Sequence, residues 1–111
     1  MNKLPVLRES DIASLIYVNR GEKVMLDADI ARLNNVETRI LKQGVSGNLS
    51  RFPDDFMFEL NNQEFSILRI QFVTSSWGGS RYLPIALTEQ GVVTLSSVPL
   101  SETAVQVNIE F

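Results

Sequence analysis

The chain has 111 residues, 44% hydrophobic and 21% charged, with 6 Gly and 4 Pro, the size and composition of one folded domain without low-complexity or disordered tracts. It has no Cys and no His, which removes disulfides, thiolate chemistry, most zinc sites and the commonest general base. Ten Lys and Arg against 13 Asp and Glu give a net charge of -3, which argues against the uniformly basic surface of many nucleic-acid binders, and the apolar runs fall far short of the roughly 20 residues a membrane span needs.

With no signal-peptide layout at its start, the chain is expected to be cytoplasmic. Residues 1–14 read as an arm and 15–111 as a single small α+β domain. Leu15–Val18 and Lys23–Leu26 flank the turn Asn19–Glu22, a β-hairpin signal. Asp27 follows as a helix cap, with Asp29 at the positive end of a helix expected over about Ala28 to Leu33. Asn34 and Asn35 tolerate the left-handed conformation and mark a corner. Val36, Ile40 and Leu41 share one face of a second helix, which Gly44, Gly47 and Asn48 weaken before Arg51-Phe52-Pro53.

Pro53–Asp55 is a turn, and Phe56, Phe58 and Leu60 alternate as in a half-buried strand. Asn61 with Glu64 forms a capping-box pattern for a helix burying Phe65, Leu68 and Phe72. The polar, Gly-rich stretch 74–81 is a loop. A strand over Tyr82–Leu87 leads to Thr88 as the cap of a helix through Val92, Leu95 and Ser96, with Gly91 permitting close backbone packing. After Ser101 two patterns compete: Val105, Val107, Ile109 and Phe111 alternate like a strand, whereas Ser101-Glu102 resembles a helix start.

Ala31, Asn35, Val36 and Leu41 have the spacing of a helix-turn-helix: a small residue where the helices approach, a left-handed corner, and an apolar pair that seats the second helix. Two acid-free stretches carry cations, 38–53 with Arg39, Lys42 and Arg51, and 65–88 with Arg69 and Arg81. Thr38, Arg39, Lys42, Gln43 and Ser46 are available to face outward from the second helix. Arg39 and Lys42 suit phosphates or guanine edges and Gln43 suits adenine; the plainer reading is a solvated helix face. Arg69, and Arg81 beside the loop, suit phosphate contacts, and Trp77 is better suited to anchoring the loop than to stacking on a base. Arg51 is expected to pair with Asp54 or Asp55 and Asn48 to terminate the helix; Arg20 and Lys23 at the hairpin tip could act as a wing along a backbone, the plainer reading being a tip that is polar for solubility. The carboxylate pairs Asp27/Asp29 and Asp54/Asp55 could in principle hold Mg²⁺, but capping and turn roles explain them better, so neither an enzyme nor a cofactor is expected.

A series of word-length matches then carries a resemblance. V-M-L-D at 24–27, R-F-P-D-D-F-M-F at 51–58, T-S-S-W-G-G at 74–79, L-T-E-Q-G-V at 87–92, L-S-S-V at 95–98 and V-N-I at 107–109 occur in one order and spacing. In these the chain resembles the KilA-N-like domains of phage and prophage proteins, in the ORF-six-N subgroup, related to the Bro-N domains of antirepressors. The resemblance implies a DNA-binding domain placed ahead of a variable C-terminal domain. It also implies a helix after Ser101, cut short at Phe111, whose apolar face would favour self-association. Where relatives carry a basic pair, this chain has Ser46 and Gly47. The expected function is binding of double-stranded DNA, as a homodimer, by a prophage or mobile-element regulator. The alternative is an antirepressor module that has lost DNA binding and engages a repressor protein.

Overall fold

The chain's first pairing is dictated by its turn. Arg20 (φ 52) and Gly21 (φ 78) are both left-handed, the condition for a two-residue turn whose twist matches that of the flanking strands. It joins β1 (Tyr17–Asn19) to β2 (Glu22–Leu26) with Asn19 opposite Glu22. The computed structural model describes residues 12–71 and 83–100; residues 1–11 of the expected arm, Phe72, the loop 74–81, Tyr82 and the ambiguous segment from Ser101 lie outside them. β3 (Met57–Glu59) and β4 (Ile85–Thr88) complete an antiparallel sheet of order β1-β2-β4-β3.

Period-two alternation divides the sheet's side chains between two cores. Met25 and Leu87 pack with Ile30, Ala31, Leu41, Val45, Val92 and Leu95 on one face, while Val24, Leu26, Phe58 and Ala86 pack with Phe65 and Leu68 on the other. Helices α1 (Asp27–Leu33), α2 (Thr38–Ser46) and α4 (Glu89–Leu95) therefore cover one face, and α3 (Asn62–Gln71) covers the opposite one. This is the small α+β domain with an N-terminal hairpin that the sequence pattern predicts. No described helix is long and apolar enough to cross a membrane.

Local chemistry sets the element ends. The Asn61 amide donates to Glu64 Oε1 at 2.9 Å and the Glu64 amide to Asn61 Oδ1 at 2.8 Å, a reciprocal capping box. Thr88 Oγ1 accepts from the Gly91 amide at 3.3 Å and donates to the Asp55 carbonyl at 2.9 Å. Gly91 is buried, and a Cβ there would lie 2.0 Å from the Phe56 carbonyl oxygen, so only glycine fits.

Several boundaries differ from expectation: β3 is only Met57–Glu59 and α2 begins at Thr38, and three more have a plain local cause. β1 begins at Tyr17 because Leu15 and Ile16 close turns onto Ile12 and Ala13. β4 begins at Ile85, since Pro84 has no N–H to give the ladder, although its carbonyl accepts from Leu60. Leu26, not Asp27, is the N-cap of α1; Asp27 occupies the first turn, where its Oδ1 accepts from the Ala28 amide at 2.8 Å.

Candidate nucleic-acid interface

The α1–α2 corner is a tight, left-handed turn between two helices. Asn35 takes the left-handed conformation (φ 56), and the Val36 amide returns to the Ala31 carbonyl at 3.0 Å. Asn34 Nδ2 caps the Ile30 carbonyl at 2.8 Å. Ala31 is buried at the approach of the two helices, and Leu41 and Val45 seat α2 in the core. Gly44 lets α2 meet the segment after α4, because a Cβ there would lie 2.4 Å from Leu100 Cδ2.

What remains outward on α2 is one stripe, Arg39, Gln43 and Ser46, at helical spacing i, i+4 and i+7, with Thr38 half-buried at its start. Arg39 reaches Glu37 Oε2 at 3.4 Å, both side chains well exposed. Such a pair contributes only about 0–1 kcal/mol and yields readily to a stronger anion.

Lys42 departs from expectation. Its ammonium turns inward, 3.4 Å from Asp27 Oδ2 and 3.2 Å from the Leu83 carbonyl, and its side chain is only 27% exposed. The reason is electrostatic: Asp27 is buried at the start of α1, and Lys42 is the cation that compensates it. Burial raises the Asp27 carboxyl above its ordinary range, against the opposing pull of Lys42. Asp29, beside it, is pushed up to about 6 by burial, with Arg32 opposing through an ion pair at 3.0 Å. Tyr17 is pushed up to about 12 by burial and by the charge of Asp29. Sequence reasoning assigned these acids to capping and overlooked that they form a buried acidic cluster. The signal was two carboxylates two apart beside an apolar strand.

Other cations are also engaged within the fold. Arg20 binds Glu64 through Nε and a terminal nitrogen, both at 2.9 Å, donates to the Glu59 carbonyl, and lies 4.2 Å from the centre of the Phe58 ring. Its hydrogen bonds hold the Glu64 carboxyl below its usual range. The hairpin tip is thus tied through Arg20 to the α3 cap and not poised as a wing, although Arg20 and Lys23 are both exposed. Arg51 donates to Ser97 Oγ at the end of α4, not to Asp54 or Asp55. Asn48 donates to the Gly44 carbonyl at 2.9 Å, the expected helix terminator. Arg69 is exposed on α3, 5.4 Å from the Phe65 ring centre, across the sheet from α2. The structure therefore brings Thr38, Arg39, Gln43 and Ser46 together and separates Arg69 from them; Arg81 lies outside the described residues.

The family model for the ORF6N domain matches residues 14–98. The chain belongs to the ORF6N domain family. No curated protein and no solved structure matches it. The ORF6N match takes in the hairpin, the whole sheet, the corner and α2.

Proposed function

We propose that this ORF6N domain is the DNA-binding part of a phage-type regulator, related to KilA-N and Bro-N domains, working in the cytoplasm without catalysis or cofactor. The observation that carries the reading is the Arg39–Gln43–Ser46 stripe on the outer face of the second helix of a corner with Ala31, Asn35 and Val36 in helix-turn-helix positions. Laid in a major groove, Gln43 suits an adenine edge, Arg39 a guanine edge or phosphate, and Thr38 and Ser46 the flanking backbone. Few phosphates are neutralised, so two copies acting together supply useful affinity.

The test is a duplex titration at 50 and 200 mM salt. Neutralising one or two phosphates per copy gives a log-log slope of about −1 to −2 for each copy bound, at about 0.9 per phosphate. Arg39→Ala should flatten that slope by about one phosphate, and Gln43→Ala should relax sequence preference. Absent or salt-indifferent binding moves the assignment to the second reading, a module engaging a repressor protein. The observation favouring that reading is that Arg20, Arg32, Lys42 and Arg51 are all engaged within the fold.

A further inference from the structure

Far from the α2 stripe in its chemistry, the outer edge of β3 carries an unusual combination. The Thr88 amide bonds to the Phe56 carbonyl and the Leu60 amide to the Pro84 carbonyl. In an antiparallel ladder this phase turns the backbone groups of Met57 and Glu59 away from β4. Two of those four outward groups are used: the Met57 N–H by the Pro53 carbonyl at 3.0 Å and the Glu59 carbonyl by Arg20 at 3.3 Å. Among the described residues the Met57 carbonyl and the Glu59 N–H remain, spaced to meet an extended chain.

Beside them runs an open groove of about 640 Å³ with an apolar wall of Leu49, Phe52, Met57 and Ile85. Leu49 is 59% exposed, a large apolar side chain held at the surface by the 3₁₀ turn Leu49–Arg51. Asp54 and Glu59 line the same groove and, among the described residues, neither has a cation within ion-pair distance. Arg20, the cation at the rim, is already matched by Glu64. Residues 101–111 of this chain carry Glu102 and Glu110 and no cation, and so do not complement an acidic rim, whereas residues 1–11 carry Lys3 and Arg8; a groove filled by them would show as no peptide shift in the full chain.

From these features we propose that the β3 edge is a docking site for an extended peptide of a partner protein, carrying one apolar side chain flanked by basic residues. The peptide backbone takes up the Met57 carbonyl and Glu59 N–H, its apolar side chain covers Leu49 and Met57, and its cations face Asp54 and Glu59. This site is independent of whether α2 meets DNA.

The test titrates the isotope-labelled full chain with acetyl-Lys-Thr-Leu-Thr-Lys-amide and follows amide shifts and hydrogen exchange. Expected are saturable shifts at Leu49, Phe52, Met57 to Glu59 and Ile85, and slowed exchange of the Glu59 amide. The acidic control acetyl-Glu-Thr-Leu-Thr-Glu-amide should bind roughly tenfold or more weakly, as like charges oppose it. Leu49→Asp, at an exposed position that the fold does not need, should lose the apolar contact and weaken binding of the basic peptide. Equal binding of both peptides, shifts confined to other surfaces, or no shift at millimolar peptide would overturn the proposal.

Discussion

Gly91 shows how one missing side chain holds two elements together. The Phe56 carbonyl accepts from the Thr88 amide and sits where a Cβ of residue 91 would be. Gly91→Ala must push β3 and α4 apart, and should cost about 3 kcal/mol or more, read as a lower denaturation midpoint at unchanged m. Asp29 is the complementary case, a group present at a cost. Its carboxyl is raised to about 6 in the folded chain, above its unfolded value, so its protonated form favours folding. That contribution is complete below about pH 4 and is lost as pH rises through 6. With Arg32 pulling it down and Asp27 pushing it up, burial still dominates. The stability of Asp29→Asn relative to the parent should therefore grow by about 2 kcal/mol between pH 4.5 and pH 8. A relative stability that stays flat over that window would show Asp29 to be ordinarily ionised.

Between elements, the Lys42–Asp27 bridge ties α2 to the start of α1. Removing Lys42 strands a buried carboxylate, so Lys42→Ala should lose about 2–4 kcal/mol of stability, whereas Arg39→Ala should stay within about 0.5 kcal/mol. Equal losses in the two variants, measured by urea denaturation, would remove the distinction between a positioning cation and a surface one. The contrast also marks what the sequence can disclose. The Asn61–Glu64 box, the Thr88 cap and the Asn35 corner are legible because their chemistry closes within a few residues. Lys42 to Leu83, Arg20 to Glu64 and Arg51 to Ser97 span more than 40 residues each, and no local pattern states which cation finds which partner. The candidate stripe was correspondingly half-legible: helical spacing identified five residues of α2, but only the buried acid on α1 decides that Lys42 leaves them.

For the molecule as a whole, strand and helix content were readable from periodicity, whereas the order β1-β2-β4-β3 was not, because nothing local to β2 announces β4 as its neighbour. β4 is the strand that joins the β1–β2 hairpin to β3. A chain ended at residue 84 should therefore lose cooperative thermal unfolding altogether; a sharp calorimetric transition in that fragment would show that the hairpin and its helices fold without the sheet's last strand.

The same central pairing constrains the birth of the protein. Val24 meets Thr88, Met25 meets Leu87 and Leu26 meets Ala86, so Met25 and Leu26 must wait, bare, until the strand about 60 residues further along has been synthesised. Native closure is consequently late in synthesis, and the nascent chain passes through an interval in which sticky strands call for chaperone cover.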